Sequence, residues 1–420
     1  MMIKKDLELY VHIPFCVKKC AYCDFLSAPA DVQERTLYVD ALTEEIRAQH
    51  EDYKNCQVRT VFLGGGTPSI LDGREICRIF DTLYASFDIS DNAEITMEVN
   101  PGTVTGEKAA AWKKCGVNRL SIGLQSVNDD ELQMLGRIHT YQDFLNTWEI
   151  VRGAGFRNVN IDLISAIPGQ TLESWCRTLR TVAELEPEHI SAYSLIIEED
   201  TPFYERYGEE AGCNFETEND KAREADGGQT VLPPLPDEDT EREIYKATEE
   251  ILAGYGYHRY EISNYAKDGY ECRHNLGYWE RKEYLGLGLG ASSLIDECRF
   301  HNTEDMKKYL EFYGKPAPDS SDPSGLPDVA RGRADIREET EYLSQEDRME
   351  EFMFLGLRKT EGISMKEFCE AFGRDIFEVY GTQIRKMEEL GLLIVQDGEI
   401  RLTERGTDVS NYVFSEFILE

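Results

Sequence analysis

Short apolar runs alternate with amphipathic segments from residue 7 to about residue 200. The runs have the length and the Val, Ile, Leu and Tyr content of strands buried in a parallel sheet, and the segments between them space apolar residues as helices do. Six repeats of strand then helix predict an α/β fold, either a partial (β/α)6 barrel or an open doubly wound sheet. The predicted strands are Leu7–Ile13, Val58–Leu63, Ala93–Val99, Val117–Ile122, Asn158–Ile164 and His189–Leu195, and example helices are Thr36–Gln49, Arg74–Ser86, Tyr141–Gly153 and Thr171–Leu185.

Two segments of low hydrophobicity divide the rest of the chain. The first holds ten acidic and two basic side chains together with Pro233-Pro234-Leu235-Pro236, and the second is rich in proline, serine and aspartate. Such composition is typical of surface insertions. The predicted units are a barrel domain at 1–207, an acidic insertion at 208–239, a small middle extension at 240–313, a proline-rich insertion at 314–343 and a C-terminal domain at 344–420.

The C-terminal domain combines helices with a hairpin. Ser344 and Ser364 are each followed three residues later by an acidic residue, which is the spacing of a helix-capping box. Asp397-Gly398 separates two short apolar segments and predicts a tight β-turn. Helices followed by a hairpin indicate a winged-helix-like domain. The predicted helices are Met365–Phe372 and Ile376–Leu390, and the hairpin strands are Leu392–Gln396 and Glu399–Thr403.

The net charge of the chain argues against a function in nucleic-acid binding. The chain has 45 basic and 80 acidic side chains and a net charge of −35. It therefore lacks the attraction to phosphates on which nucleic-acid binding depends, and we expect the winged-helix-like domain to serve docking or structure. No apolar run reaches the length of about 18 residues that a transmembrane helix needs. Because the N-terminus also lacks the apolar region of a signal peptide, we expect a cytoplasmic protein.

Only three of the eleven cysteines cluster in the sequence. Cys16, Cys20 and Cys23 form C-x-x-x-C-x-x-C on the loop that leaves the first predicted strand. Thiolates are the usual ligands of iron–sulfur clusters, and three of them leave one iron of a [4Fe-4S] cluster open. A zinc site is the alternative, and it needs His12 or Asp24 as a further ligand. The cysteines that stand alone are interpreted as small buried thiols: Cys56, Cys77, Cys115, Cys176 and Cys369.

Glycine and polar residues follow successive strands at the point where each strand ends. Gly64–Pro68 read Gly-Gly-Gly-Thr-Pro after the second strand, and Glu98, Gln125 and Asp162 lie at or near the ends of the next three. Parallel α/β folds place their ligand sites at the C-terminal ends of strands. We therefore expect one active face, which also carries the cysteines.

The cysteine triad on the first strand's loop, followed by Gly-Gly-Gly-Thr-Pro on the second, resembles the radical S-adenosylmethionine (SAM) superfamily. In that superfamily, SAM chelates the open iron of a [4Fe-4S] cluster, and an electron from the cluster cleaves the sulfonium. The resemblance implies a radical SAM barrel that holds the cluster on the three cysteines. The SAM-binding residues that it implies by position are Tyr10, Tyr22, Gly65, Gly66, Thr67, Glu98, Gln125, Arg137 and Asp162.

Longer motifs, such as Gly136-Arg137-Ile138-His139 and Pro168-Gly169-Gln170-Thr171, are similar to the coproporphyrinogen dehydrogenase-like branch. One member type is the oxygen-independent coproporphyrinogen III dehydrogenase, which decarboxylates propionate side chains. The other is the HemW-type heme chaperone. The dehydrogenase usually has a fourth cysteine where this chain has Phe25, so the resemblance favours the chaperone and keeps the dehydrogenase as the alternative. Whether the chain turns over a substrate as an enzyme stays open.

His274-Asn275-Leu276-Gly277-Tyr278 matches the H-N-x-x-Y motif associated with heme binding in the chaperones. An imidazole can ligate heme iron, and nearby aromatic rings can cover a porphyrin face. The implied heme-binding residues are His274, Asn275 and Tyr278, with Cys272 as a weaker candidate. The alternative is a hydrogen-bonded core histidine in a tyrosine-rich segment.

The resemblance also implies cofactors and partners. The cofactors are the [4Fe-4S] cluster, SAM and heme, and the partners are client proteins that accept heme and an electron donor for the cluster. Homodimerisation stays open. Gly286–Ala291 has the glycine spacing of a dinucleotide-binding motif, but no clear strand precedes it. From the resemblance we expect this glycine loop to border the SAM pocket instead.

Overall fold

A computed structural model describes residues 4–208, 233–314 and 336–419. Within these residues one mixed sheet of twelve strands runs in the order β12-β11-β10-β9-β1-β2-β3-β4-β5-β6-β8-β7. Its strands are β1 (Lys5–Ile13), β2 (Cys56–Gly65), β3 (Ile89–Val99), β4 (Arg119–Gln125), β5 (Val159–Ser165), β6 (His189–Ser194), β7 (His258–Arg259), β8 (Asn264–Ala266), β9 (Tyr284–Leu287), β10 (Ser292–Ile295), β11 (Cys298–Asn302) and β12 (Arg337–Tyr342).

The six predicted strands form β1 to β6, which are parallel and adjacent in chain order. A doubly wound sheet reverses its strand order at a switch point. Because the order here never reverses over these strands, the structure decides for the partial (β/α)6 barrel. The sheet order ends at β12 and β7, so the described strands do not close into a complete barrel.

Helices connect the parallel strands, and polar caps define where most of them begin. Asp31 and Asp72 each accept a backbone N–H of the following first turn, and both belong to complete capping boxes. The helices before the C-terminal domain are α1 (Val32–Ala48), α2 (His50–Tyr53), α3 (Gly73–Ser86), α4 (Gly106–Lys114), α5 (Asp129–Met134), α6 (Tyr141–Gly153), α7 (Leu172–Ala183), α8 (Pro202–Tyr207), α9 (Glu238–Gly254), α10 (Arg273–Trp279) and α11 (Met306–Tyr313).

The middle extension completes the sheet on both sides. β9 pairs in parallel with β1, and β10 and β11 follow as antiparallel strands. Arg337–Tyr342, which fall within the predicted proline-rich insertion, form β12 at the edge beyond β11. The sequence concealed this strand because most of its side chains are charged, as edge strands often are. The expectation that no strand precedes the Gly286 loop was wrong as well, because Tyr284–Leu287 form β9.

Most of the two predicted insertions lies outside the described residues. The acidic insertion is described only at its ends, where the Gly169 N–H donates to the Pro234 carbonyl at 2.8 Å. Residues 315–335 of the proline-rich insertion are likewise outside. None of the described helices is both long enough and apolar enough to cross a membrane.

The main core lies between the sheet and its helices. Val11, Val61 and Met97 on the strands are fully buried against Leu42 and Phe80 of the helices. Cys77 of α3 and Cys115 after α4 form a disulfide with a Cα–Cα distance of 5.5 Å. The interpretation of these two cysteines as separate thiols was therefore wrong. Their sequence separation of 38 residues hid the contact that helix packing creates. The interpretation of Cys369 as a buried thiol was also wrong, because its side chain is exposed.

The C-terminal domain has its own apolar core, which includes Phe368, Tyr380 and Ile384. Its predicted hairpin is confirmed, with Asp397 and Gly398 both at positive φ in the turn. Glu351 binds the domain to the middle extension through Arg281 and Arg299. Its elements are α12 (Gln345–Gly356), β13 (Ile363–Ser364), α13 (Met365–Phe372), α14 (Ile376–Glu389), β14 (Leu393–Gln396), β15 (Glu399–Leu402), α15 (Glu404–Asp408) and α16 (Ser410–Ser415).

Candidate functional site

The cysteine loop leaves the C-terminal end of β1 and is held at its base. The Cys16 N–H donates to the Ala28 carbonyl at 3.1 Å, and the Ala28 N–H donates to the Pro14 carbonyl at 3.0 Å. Its middle is fixed where the Ala21 N–H donates to the Leu135 carbonyl. This frame presents three free, partly exposed thiols on one loop. They are Cys16, Cys20 and Cys23.

Two polar side chains point at these thiols. The Thr67 hydroxyl lies 3.5 Å from the Cys16 sulfur, and Nη1 of Arg137 lies 3.5 Å from the Cys20 sulfur. Nε of Arg137 is buried and has no hydrogen-bond partner among the described residues. A buried cation with a spare donor suits a neighbouring group that brings negative charge. Three thiols with this counter-charge fit a [4Fe-4S] cluster. As the thiols are placed, no described His, Cys, Asp and Glu side chains form a group of three that could hold a single metal ion.

The glycines after β2 are required by close backbone approach. Gly65 has φ +107°, where a Cβ would overlap the His12 ring. A Cβ on Gly66 would lie 2.6 Å from the Phe15 carbonyl oxygen. The backbone N–H of Gly66 donates to the Ile13 carbonyl. The two glycines therefore fit the β2 end against the base of the cysteine loop, and this role is independent of any approach to SAM.

Tyr10 and His12 connect β1 to the same loop. Nε2 of His12 lies 2.9 Å from the Leu26 carbonyl, so this nitrogen carries the proton, and Nδ1 accepts the Tyr10 hydroxyl at 2.9 Å. Burial lowers the pKa of His12, which keeps the ring neutral. Sequence reasoning considered His12 only as a zinc ligand. The signal that could have revealed its role is its position between Tyr10 and the cysteine loop.

Two acidic side chains face the interior, Glu98 at the end of β3 and Asp162 in the middle of β5. Burial, together with the nearby Asp162, raises the pKa of Glu98 to about 8, and one Glu98 oxygen accepts the Gly65 N–H at 3.0 Å. Asp162 accepts the Ser121 hydroxyl at 2.9 Å and the Asn160 amide at 2.7 Å, and burial raises its pKa. Both carboxylates can accept hydrogen bonds from ligand hydroxyl groups.

Asn100 joins the cluster side of the site to its other end. Its amide nitrogen donates to the Thr67 hydroxyl at 2.8 Å, and its amide oxygen accepts Nη2 of Arg137 at 2.8 Å. The same Nη2 donates to the Gly123 carbonyl at 2.7 Å. Sequence reasoning did not assign Asn100 to the site. Gln125, which was assigned, ends β4 with φ +72°, a conformation that non-glycine residues seldom adopt outside constrained sites.

Tyr22 packs against an apolar cluster above the strand ends, which includes Leu135, Ile164 and Phe203. In the sequence, Tyr22 directly precedes Cys23 of the cysteine loop. The structure thus gathers the residues predicted to bind SAM on one face, at or near the C-terminal ends of β1 to β5 and in the loops that follow them. These are Tyr10, Tyr22, Gly65, Gly66, Thr67, Glu98, Gln125, Arg137 and Asp162.

The His274 motif lies apart from these strand ends, because α10 packs against the middle of the parallel strands, at Thr60 and Phe62 of β2 and Glu94 of β3. The His274 ring is 1% exposed and stacks on Phe62 at 5.2 Å. Nδ1 pairs with the Thr60 hydroxyl at 2.7 Å and Nε2 with the Tyr278 hydroxyl at 3.1 Å. Burial lowers the pKa of His274 to about 3. Here His274 is a hydrogen-bonded core histidine, the alternative raised from sequence, while Asn275 and Tyr278 are half-buried.

Comparison with known proteins covers the whole chain. Residues 10–182 match the profile of the radical SAM superfamily, and residues 343–409 match the HemN C-terminal domain. The heme chaperone HemW of Bacillus subtilis is 34% identical over 412 residues, which cover 98% of this chain and 99% of the relative. The heme chaperone HemW of Escherichia coli is 39% identical over 290 residues, covering 69% of this chain and 70% of that protein.

A solved structure extends the likeness to three dimensions. Coproporphyrinogen III oxidase (HemN) from Escherichia coli, a radical SAM enzyme, superposes with a TM-score of 0.75 at 23% identity, over 99% of this chain and 90% of that one. At this identity the likeness concerns the fold alone.

Proposed function

Because this chain belongs to the HemW family of heme chaperones within the radical SAM superfamily, we propose that it binds a [4Fe-4S] cluster, SAM and heme, and delivers heme to client proteins. The observation that carries the proposal is the loop with three free thiols beside the Thr67 hydroxyl and the Arg137 guanidinium. Cys16, Cys20 and Cys23 would hold the cluster, which supplies an electron for SAM cleavage when it is bound. Arg137 would offset the negative charge of the thiolates.

The strand ends would bind SAM. Glu98 and Asp162 offer acceptors for its ribose hydroxyl groups, and Arg137 and the Thr67 hydroxyl offer donors for its carboxylate. Tyr10, Tyr22 and Gln125 would complete the walls of the pocket, and Gly65 and Gly66 would contribute backbone to it. The buried setting strengthens each of these hydrogen bonds.

Heme would bind through His274, with Asn275 and Tyr278 beside it. Both ring nitrogens of His274 are hydrogen-bonded in the described conformation, so iron ligation requires α10 to move away from the strands. Heme uptake would then be limited by local opening of the 272–279 segment. We place the protein in the cytoplasm, with an electron donor and heme-accepting proteins as its partners.

Coproporphyrinogen III dehydrogenation is the alternative function. Phe25 supports the chaperone instead, because it stands where the dehydrogenase usually has its fourth cysteine. The Phe25 side chain is 67% exposed. It offers no sulfur to a cluster and leaves an apolar side chain exposed two residues after Cys23.

The test begins with anaerobic cluster reconstitution. Iron and sulfide content, and the visible absorbance expected of a thiolate-ligated iron–sulfur cluster, would be compared for wild type, Cys20→Ser and the exposed Cys369→Ser as a matched control. Heme titration of wild type, His274→Ala and the exposed control His258→Ala would follow. Coproporphyrinogen III with SAM would be checked for product on the same samples.

We expect cluster loss in Cys20→Ser only, loss of heme affinity in His274→Ala only, and no porphyrinogen product. Product formation without stoichiometric heme binding would establish the dehydrogenase in place of the chaperone. Heme binding that is equal in His274→Ala and wild type would remove His274 from the heme site and leave the cluster site standing.

A further inference from the structure

A line of hydrogen bonds crosses the barrel interior from the SAM face to α10. Asp162 accepts the Asn160 amide at 2.7 Å, and the Asn160 carbonyl oxygen lies 2.6 Å from Nδ1 of His189. Nε2 of His189 lies 2.8 Å from the Tyr260 hydroxyl, which accepts the backbone N–H of Cys272 at 3.2 Å. Cys272 is the residue immediately before α10. The line therefore begins at a predicted SAM contact and ends at the start of the helix that carries His274.

Every donor in this line points toward Asp162. The Cys272 N–H can only donate, so the Tyr260 hydroxyl accepts from it and donates onward to Nε2 of His189. His189 then carries its proton on Nδ1 and donates it to the Asn160 oxygen, and the Asn160 amide donates to the carboxylate. One tautomer of His189 and one orientation of Asn160 satisfy the whole line, and bonds aligned in this way polarise one another.

The line is sealed from water. His189 and Cys272 are 0% exposed, Asn160 is 2% exposed and Tyr260 is 8% exposed. Burial holds the pKa of His189 well below its ordinary range, so the ring is neutral and has one acceptor nitrogen, as the line requires. A buried polar group that loses its partner is costly. A change at one end of the line must therefore be compensated along it.

A second anchor ties α10 to the interior. Glu94 of β3 accepts the backbone N–H of Arg273 at 3.2 Å and that of His274 at 3.1 Å, and the Cys272 thiol lies 3.6 Å from the same carboxylate. The backbone N–H groups at the start of α10 are thus held at two points, Glu94 and Tyr260, in addition to the side-chain contacts of Arg273 with the Asn92 carbonyl and of His274 with Thr60 and Phe62. Weakening either point lowers the cost of moving the helix.

We infer that Asn160, His189 and Tyr260 are positioning residues that couple SAM binding to the closure of α10 over His274. The inference rests on the proposed function, which places SAM at Asp162. Ribose hydroxyl groups that donate to Asp162 keep it ionised, and an ionised carboxylate is the stronger acceptor for Asn160. The gain passes along the line to the Tyr260–Cys272 bond, so SAM holds α10 closed. By reciprocity, opening of α10 for heme weakens SAM binding.

The test uses the reconstituted full chain and needs no heme. Amide hydrogen exchange of residues 272–279 would be followed with and without saturating SAM, and SAM affinity would be measured by calorimetry, for wild type and Tyr260→Phe. Tyr257→Phe is the matched control, because it removes a buried hydroxyl bonded to the Pro187 carbonyl at 2.6 Å, outside the line.

In wild type and Tyr257→Phe, SAM is expected to slow exchange of these amides by about fivefold or more. In Tyr260→Phe we expect SAM to slow their exchange by less than about twofold. SAM should also bind this variant about three- to tenfold more weakly, as expected for the loss of one buried hydrogen bond. A purely structural role would speed exchange in the variant but leave its response to SAM intact. Equal responses in Tyr260→Phe and wild type, or none in wild type with SAM bound, would overturn the coupling alone. Failure of wild type to bind SAM would overturn the proposed SAM site as well.

Discussion

Nη1 of Arg137 lies 3.5 Å from the sulfur of Cys20, although the two residues are 117 positions apart in the chain. The contact joins the loop after β1 to the segment after β4. The same guanidinium holds Asn100 and the Gly123 carbonyl. One side chain thus connects the cysteine loop to two other strand ends of the site.

Replacing Arg137 with Gln is therefore expected to weaken SAM binding by about tenfold or more, since charge-assisted buried hydrogen bonds contribute about 1.5–3 kcal/mol. Arg137→Lys keeps the charge without the planar fork and is expected to lie between Gln and wild type. Calorimetry on reconstituted protein would measure both, with the exposed Arg74→Gln as control. Unchanged affinity in Arg137→Gln would remove this residue from the SAM site.

Gly66→Ala is expected to disrupt the cysteine loop. Its Cβ would lie between 2.6 and 2.9 Å from backbone atoms of Phe15 and Ile13, which cannot rotate away. We expect iron incorporation to fall by about half or more, together with a loss of about 1–3 kcal/mol in the free energy of unfolding. Gly153→Ala, at the end of α6 with open space around it, is the control and should change neither quantity appreciably.

Glu8 is expected to make the fold less stable as pH rises. Burial is the main cause that raises the pKa of its carboxyl to about 8, with further raising by Glu94 and Glu280 and partial compensation by Lys282 and Arg273. Its Oε2 lacks a hydrogen-bond partner within the described ranges. Between pH 4.5, the ordinary pKa of a glutamate, and pH 8, the folded state binds this proton more tightly than the unfolded state does. The stabilisation that the protonated Glu8 contributes to the free energy of unfolding is therefore complete below this window and is lost as the pH rises through it.

Glu8→Gln removes this titration. The stability of the variant relative to wild type should rise by up to about 1.4 kcal/mol for each pH unit inside the window. Urea unfolding at pH 5, 6, 7 and 8, which roughly span this window, would measure the difference in free energy of unfolding between the variant and wild type. The exposed Glu107→Gln is the control. A difference between Glu8→Gln and wild type that does not vary with pH would contradict the prediction.

Glu351→Gln is expected to loosen the C-terminal domain. Its carboxylate, 5% exposed, binds Nε of Arg281 at 2.8 Å and Nη2 of Arg299 at 2.6 Å. The substitution leaves the partly exposed Glu297, 2.8 Å from Nη2, as the remaining counter-charge of the buried Arg281, and we expect it to cost about 1–3 kcal/mol. Limited proteolysis should cut between the middle extension and the C-terminal domain faster than in wild type. The exposed Glu346→Gln on the same helix should be cut at the wild-type rate.

The parallel strands could be predicted because each is an apolar run flanked by a helix. β7 to β12 were not predicted, since they are short and partly polar and form through pairing with strands already in place. The charged side chains of Arg337–Tyr342 even indicated an insertion. Disulfide pairing of Cys77 with Cys115 was equally invisible, because only the packing of α3 against α4 brings them together.

The residues of the candidate site could be named from sequence motifs, but the contacts between them could not be predicted. The sequence assigned residues to the active face one by one, whereas Asn100 and His12 act by joining their neighbours, which requires the strand ends to be adjacent in space. Likewise, the His274 motif does not reveal which part of the strands α10 covers. Binding of SAM and heme at these residues stays a prediction.

The pairing of β1 has a consequence for synthesis on the ribosome. This strand, which leads into the cysteine loop, is bonded to β2 on one side and to β9 on the other. Its second side stays an open edge until Tyr284–Leu287 have been translated, and an open edge can pair wrongly with other chains. The strand that carries the cysteine loop is thus translated before the strand that completes its pairing, so a cluster at the proposed site would best be inserted after most of the chain has been made.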